Sequence, residues 1–274
     1  MFDNFDAVSY GMLITSIAMQ LKNKTAIITG SSKGIGKDIA LLFAKEGADI
    51  VINSSSSSEE SLRDLIKEIR DIGRRCIYIR ADVSKKPEVD FLVQRTLSEL
   101  GSINILINNA GISPKKNGRK VPIVELQQEE WDRVFAVNIS GVFLCSKAVI
   151  PHMMKNKDGR IINISSMDGK TGGFYSVSAH YAASKAAVIT FTKTLAREAA
   201  PYGINVNCIA PGCIVTGMLL NRPNELLDSY LQHIPLKRFG RTSEIASVAL
   251  FLASNASSYI TGATIDVNGG WIMD

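Results

Sequence analysis

The 274 residues carry 31 Lys and Arg against 26 Asp and Glu, a net charge of +5, and 46% are hydrophobic. That length suits one continuous core, and the basic residues are scattered, which argues against a nucleic-acid surface. Cys76, Cys145, Cys208 and Cys213 form no C-x-x-C pair and have no histidine cluster beside them. They read as reduced, mostly buried thiols, which suits a cytoplasmic protein and speaks against a zinc site or disulfide framework.

In chain order, residues 1–20 precede the first regular segment. The apolar stretch Tyr10–Met19 is too short to span a bilayer, and Asp3 and Asp6 stand where a secretory leader carries basic residues. This extension is expected to fray or to pack on another subunit, with Met19 as an alternative start; one domain, 21–274, follows. Thr25–Thr29 is an apolar β-type run leading into Thr29-Gly30-Ser31-Ser32-Lys33-Gly34-Ile35-Gly36 and the amphipathic stretch Lys37–Lys45. Strand, glycine-rich turn and helix is the context of a dinucleotide site: glycine permits close approach, and the helix N-terminus favours a pyrophosphate. The spacing is G-x-x-x-G-x-G, which by itself also fits a plain strand-to-helix turn.

Further strands are predicted at Asp49–Asn53, Arg75–Arg80, Ile103–Asn108, Arg160–Ser165, Asn205–Ile209 and Thr264–Val267, nearly continuous apolar runs of the kind buried on both faces. Helices are predicted at Glu59–Asp71, Pro87–Leu100, Gln128–Lys155, Ala179–Ala200 and Ser243–Ala253. Glu59-Glu60 and Ser243-Glu244 bring acids to first turns, and Gly73 and Gly101 stop two helices. The alternation specifies a single α/β domain, a doubly wound (Rossmann) fold with a seven-stranded parallel sheet flanked by helices, binding ligands beyond the strand C-termini.

In the string H-Y-A-A-S-K, Tyr181 and Lys185 stand four apart and share one helix face. An ammonium beside a phenol favours the ionised form and lowers a pKa that starts near 10. A phenol exchanging protons near neutrality is a general acid–base group. Y-x-x-x-K alone is common, and its weight comes from the glycine turn upstream.

Together these motifs resemble the short-chain dehydrogenase/reductase family over about Leu21 to Asp274, and further pieces follow in that family's order. They are Asn108-Asn109-Ala110-Gly111, Asn138 within Val137–Gly141, Pro211-Gly212 after a strand, Thr261-Gly262-Ala263, and Asp266-Val267-Asn268-Gly269-Gly270. The resemblance implies a catalytic set of Asn138, Ser166, Tyr181 and Lys185, without metal. It implies dinucleotide contacts at Gly30, Ser32, Lys33, Gly34, Ile35, Gly36, Ser54, Ser55, Asp82, Val83, Asn109, Ala110, Gly111, Tyr181, Lys185, Pro211, Gly212, Ile214 and Thr216. Tyr181 would protonate a carbonyl oxygen as hydride reaches its carbon, or do the reverse on an alcohol. Lys185 would lower the tyrosine pKa and hold the nicotinamide ribose. Asn138 would hold a water linking Lys185 to solvent, or else act as a helix-interior asparagine bonding backbone. Ser166 is preferred over Ser165 because it begins S-x-x-G. The interval to Tyr181 is about two residues longer than in many relatives, implying a small insertion near Gly172-Gly173-Phe174-Tyr175.

An NAD site needs a carboxylate at the end of the second strand. Here that strand ends Ile52-Asn53-Ser54-Ser55, with no acid before Glu59. Ser54 aligns with the Asp of NAD-preferring relatives, and Lys33 with a basic position that meets the 2′-phosphate in NADPH-preferring ones. NADP(H) is expected ahead of NAD(H), which the serines also admit. Asp82-Val83 resembles a pair that contacts adenine.

The nearest subgroup in look is the 3-oxoacyl-acyl-carrier-protein reductases, implying a thioester-linked carbonyl substrate and an acyl carrier protein as partner. A sugar, polyol or other secondary-alcohol dehydrogenase is the alternative. A non-catalytic nucleotide sensor would be expected to lack Tyr181 or Lys185. Where carrier-docking reductases place arginines, this chain has Pro151 and Tyr202, with Lys155, Lys157 and Lys193 as nearby cations. The segment Ser113–Lys120 is longer than in compact relatives and should border the substrate cleft, meeting an anionic substrate or serving as a hydrated loop. His180 points about 100° from Tyr181 on a helix and reads as a bystander. His152 and His233 lack partners at metal or triad spacing, and Tyr175 either lines the cleft or is a surface aromatic. Relatives imply a homotetramer, with a dimer as the alternative, through the apolar faces of Phe143, Leu144, Ile189, Phe191 and the tail Trp271-Ile272-Met273. No membrane or nucleic-acid partner is expected.

Overall fold

A computed structural model describes residues 19–173 and 177–273. The extension before residue 19 and the loop residues Phe174 and Tyr175 lie outside the described residues.

The central strands feed two apolar layers by alternation. In β1 (Thr25–Ile28), Ala26 and Ile28 enter one cluster and Ile27 the other. The same alternation holds in β2 (Asp49–Ser54), where Ile50 and Ile52 oppose Val51, and in β4 (Ile105–Asn108), where Ile105 and Ile107 oppose Leu106. The first layer receives α1 (Gly34–Lys45), α2 (Arg63–Asp71) and α10 (Thr242–Ala253). The second receives α3 (Lys86–Leu100), α5 (Gly141–Asn156) and α7 (Ala179–Ala199). The remaining elements are β3 (Cys76–Arg80), α4 (Gln128–Phe135), β5 (Gly159–Ile164), α6 (Asp168–Thr171), β6 (Ile204–Pro211), α8 (Gly217–Leu220), α9 (Asn224–His233) and β7 (Thr264–Val267). Each fully buried side chain such as Phe43, Ile39 or Leu92 contributes about 1.5–3 kcal/mol of transfer free energy.

The seven strands run β3-β2-β1-β4-β5-β6-β7, every neighbour pair parallel. The chain grows outward in one direction from β1, then returns to β4 and grows the other way. This switch between β1 and β4 opens a crevice at the strand C-termini.

Several boundaries differ from the sequence expectation for local reasons. The helix expected from Glu59 begins as a 3₁₀ turn, Glu60–Leu62, and becomes α-helical at Arg63; just ahead of it the Ser58 hydroxyl accepts the Ser61 N–H at 3.2 Å. The helix expected across Gln128–Lys155 contains a π turn at Ala136–Ser140 before continuing to Asn156. That combined helix is long and apolar enough to cross a membrane by length and composition alone, yet Val137, Cys145, Val149 and Met153 on it are core residues. Gly101 ends α3 at φ +83°, and Gly73 follows α2 at φ +87°, both left-handed as a C-terminal glycine allows. Cys76, Cys145 and Cys208 are buried and Cys213 half-buried, all as free thiols.

One glycine is fixed by space rather than backbone angle. A Cβ on Gly36 would lie 2.6 Å from Asn109 Nδ2 and 2.7 Å from the Gly30 carbonyl oxygen. Gly36→Ala is therefore expected to weaken dinucleotide binding at least tenfold and to lower the melting temperature, read by fluorescence titration and calorimetry. Wild-type binding and melting in this variant would show that the turn has room after all.

Candidate active site

The crevice is a cleft of about 820 Å³ running from the end of β2 across the glycine turn to α9. Its first arm is assembled around Thr29. The Thr29 hydroxyl accepts the N–H groups of Asn109 (3.0 Å) and Ala110 (3.1 Å) and donates to the Ile107 carbonyl (3.2 Å). Asn109 in turn donates through Nδ2 to the carbonyls of Thr29 (2.9 Å) and Gly30 (3.0 Å). Gly30 sits at φ +63°, where a Cβ would come 2.9 Å from Ala110 Cα. The turn is thus a bare backbone cradle at the head of α1, and its residues fit the pyrophosphate of a dinucleotide.

Gly30, Ser32, Lys33, Gly34, Ile35, Ser54, Ser55, Asp82, Val83, Asn109, Ala110, Gly111, Pro211, Gly212, Ile214 and Thr216 all line this cleft, while Gly36 supports the turn from behind. The Ser54 hydroxyl accepts from Ser57 N–H (3.2 Å) and donates to the Ser57 hydroxyl (3.0 Å), so it shapes its own loop. Lys33 is exposed at the same end. The Asp82 carboxylate accepts from the Ser84 hydroxyl (2.7 Å) and from Arg133 (3.0 Å). A Cβ on Gly212 would lie 2.7 Å from Asn268 Cα, which fixes the Pro211-Gly212 turn against the end of β7.

The second arm holds the titratable pair. Tyr181 is 9% exposed and Lys185 4%, both on α7. The Ser166 hydroxyl is near enough to the Tyr181 hydroxyl to favour its ionised form. Ser165, by contrast, donates to the Lys185 carbonyl at 2.7 Å. Lys185 Nζ donates to the Ile164 carbonyl (2.7 Å) and stands 5.9 Å from the Tyr181 ring centroid. Asn138, in the π turn, accepts the Ile112 N–H on Oδ1 (2.9 Å) and donates from Nδ2 to the Ile112 carbonyl (3.0 Å) and the Ser184 hydroxyl (3.0 Å). The backbone-bonding alternative for Asn138 is thus present in the geometry. Lys185 Nζ and Asn138 Oδ1 converge on Gly111, where a Cβ would be 3.3 and 3.4 Å from them.

One electrostatic expectation is corrected. Burial, with the charge of Asp168 adding to it, pushes the Tyr181 hydroxyl above its ordinary range, against the Ser166 hydrogen bond and Arg222. Burial also acts on Lys185, pulling it down to about 8. His180 is buried, and its Nδ1 accepts the Tyr181 backbone N–H at 2.8 Å. Among the described residues no cluster of His, Cys, Asp or Glu could hold a metal.

The structure also brings in residues that motif reading passed over. Asn53 ties the β2 end to β3 by donating to the Ile79 (3.1 Å) and Ala81 (3.0 Å) carbonyls. Asp168 accepts the Ser166 hydroxyl proton at 3.1 Å, and its own N–H donates back to Ser166 Oγ at 3.1 Å. A lone carboxylate between Ile161 and Tyr181 was the available signal. Arg222 reaches the cleft from beyond α8, which nothing local in its sequence announces.

A family model described as enoyl-(acyl carrier protein) reductase matches residues 30–272. The chain belongs to the short-chain dehydrogenase/reductase family. This family member is 43% identical over 251 residues, 92% of its length, to the whole of a 3-oxoacyl-[acyl-carrier-protein] reductase FabG from Staphylococcus epidermidis. A crystal structure of a 3-oxoacyl-[acyl-carrier protein] reductase from Brucella melitensis superposes with a TM-score of 0.88 at 36% identity, covering 100% of this chain and 98% of that one. A Brucella melitensis reductase with bound NAD gives 0.86 at 36% identity and the same coverage. As a short-chain dehydrogenase/reductase, the protein is an NAD(P)-dependent oxidoreductase with the doubly wound fold expected of it.

The lysine shift has a stability consequence. Between about 8, the folded value, and 10.5, the ordinary one, the unfolded chain binds a proton at this lysine that the folded chain does not, so stability rises with pH across that window. Denaturant titrations should therefore show wild type gaining on Lys185→Met as pH climbs from about 8 to about 10.5. A difference that stays flat would mean that Lys185 is charged in the fold.

Proposed function

We propose that this enzyme reduces the carbonyl of 3-oxoacyl thioesters, with Tyr181 as the general acid. The observation that carries the reading is the buried Tyr181 with Ser166 beside it at the inner end of a dinucleotide cradle. The names of the relatives at 36–43% identity support the substrate class. Two hydroxyls side by side can bond one carbonyl oxygen, orienting it and supplying the proton it needs on becoming an alcohol. A bound nicotinamide dinucleotide supplies or accepts the hydride. Lys185 and Asn138 hold the backbone at Ile164 and Ile112 on either side of Gly111, which sets the wall against which a nicotinamide ribose would rest. Pro211, Gly212, Ile214 and Thr216 close the opposite wall.

For the cofactor we infer NADP(H) ahead of NAD(H). The β2 end offers Ser54, Ser55 and Lys33 and no carboxylate, and Asp82 in that arm is engaged by Ser84 and Arg133. A cation and hydroxyls suit a 2′-phosphate. The carrier-bound form of the substrate would dock on Lys155, Lys157 and Lys193, which are exposed, beside Pro151 and Tyr202. A cytoplasmic homotetramer is the assembly we favour: Phe143 is 44% exposed and packs edge-on to Phe191, and Met273 of the tail is 77% exposed.

Acetoacetyl thioesters assayed by loss of NADPH absorbance, beside a panel of polyols and ketoses, test the reading. Thioester turnover is expected to fall about 10²–10⁴-fold in Tyr181→Phe with dinucleotide affinity kept. Turnover of a sugar alcohol, with none of any thioester, would sink the substrate assignment.

Ser54→Asp tests the cofactor. The new carboxylate can still accept the Ser57 N–H, yet it places negative charge where a 2′-phosphate would lie. KM for NADPH should rise about tenfold or more while KM for NADH holds or falls. Equal effects on both would remove the basis for the preference.

A further inference from the structure

Asp168 holds the second open position of Ser166-Met167-Asp168-Gly169, on the first turn of α6, and it lines the cleft beside the reacting hydroxyls. Its bonds to Ser166 run both ways. The Ser166 hydroxyl donates to Asp168 Oδ2 at 3.1 Å, and Ser166 Oγ accepts the Asp168 backbone N–H at 3.1 Å. A serine hydroxyl has one proton and two acceptor positions. Here the proton and one lone pair both face Asp168, which leaves a single lone pair for anything in the cleft.

A carbonyl oxygen brings only lone pairs, and so does a tyrosinate. Ser166 can assist either of them only by donating, so Asp168 competes with both for one proton. An ionised carboxylate holds that proton in a charge-assisted bond, whereas a protonated carboxyl can donate to Ser166 Oγ and leave the serine proton free for the cleft. Four groups face Asp168 from other segments: Tyr181 on α7, Arg222 beyond α8, Lys115 from the segment after Gly111, and Cys213 after β6. Burial raises the Asp168 carboxyl above its ordinary 3.8, against the Ser166 bond and the charges of Arg222 and Lys115. Cys213, its thiol pushed up to about 12 by burial, adds no charge at neutral pH.

We propose that Asp168 is a positioning residue that sets the direction of the Ser166 proton, away from the substrate when ionised and toward the carbonyl oxygen when protonated. In the second state Ser166 joins Tyr181 in bonding the oxygen on which negative charge develops, where a preorganised donor counts most. At 3.1 Å the bond to Asp168 is longer than the usual O–H···O⁻ contact, which puts the expected effect at the low end for such a bond. The inference rests on the reading of Tyr181 as general acid and is independent of which acyl group the substrate carries.

The test follows kcat/KM for carbonyl reduction from pH about 5 to about 9 in wild type, Asp168→Val, Ser166→Ala and the double variant. Acetoacetyl-N-acetylcysteamine and a free diketone serve as substrates, and dinucleotide affinity reports that each variant is folded. Wild type should lose about tenfold as Asp168 gives up its proton, the effect of one charge-assisted hydrogen bond. Asp168→Val offers no acceptor for the Ser166 proton and should hold the acid level throughout. Asp168→Asn keeps the shape without titrating, so it should also lose the pH-dependent limb. Tyr181 and Lys185 titrate in wild type and variant alike, and the ratio of the two profiles removes most of their contribution. In the Ser166→Ala background, Asp168→Val should change nothing at any pH. A gain that survives in that background would mean that the carboxylate acts through its charge on Tyr181, which overturns the proposal. A loss in Asp168→Val that is uniform in pH, the mark of a structural role, overturns it too. A Ser166-dependent gain seen with the diketone, with no turnover of the thioester by any form, supports the proposal and removes the thioester reading instead.

Discussion

The contact between the glycine turn and Asn109 is the constraint on which the rest of the molecule depends. It locks the loop after β1 to the loop after β4, the two strands at which the chain changes direction. Because Gly36 and Gly30 have no side chains to hold the surfaces apart, the turn lies close enough for one amide to bond two successive carbonyls. The cradle for phosphates and the wall carrying Gly111 therefore form one rigid body. Tyr181, Lys185 and Asn138 are all placed relative to that body.

The inner end of the cleft is built at an electrostatic cost. A phenol, an ammonium and a carboxylate are buried within one recess, and burial opposes the charged form of each. Hydrogen bonds offset part of that penalty: the Ser166 hydroxyl donates to Asp168, and Lys185 donates to the Ile164 carbonyl. Such an arrangement is poor for stability and good for proton transfer, because small changes in neighbouring charge move the protonation equilibria.

Most of the architecture was legible because strand-buried apolar runs and glycine stops are local signals. Ile27, Val51 and Leu106 fell into one layer and their neighbours into the other as alternation demands. Ser166 and Ser165, which S-x-x-G tells apart, have different partners: Ser166 donates to Asp168 and Ser165 to the Lys185 carbonyl. The sign of the tyrosine shift was not legible, since spacing on a helix shows that Lys185 is near but not how deeply both groups are buried. Asp168, Lys115 and Arg222 come from three separate segments, and only folding makes them neighbours. The 3₁₀ start at Glu60 also escaped the pattern, since the same residues suit either helical turn.

The π turn at Ala136–Ser140 has a consequence of its own. Widening one turn slips an extra residue into the spiral, so the faces before and after it fall out of phase by about 100°. Upstream, the helix presents Arg133 to Asp82; downstream, it presents Val142 and Cys145 to the apolar interior. A single irregularity thus lets one continuous rod serve a polar rim and a dry interior in succession, with Asn138 at the seam. Removing one residue there would rewind the rod and swing every later side chain round by more than a quarter-turn, so its length in this stretch is fixed as firmly as its chemistry.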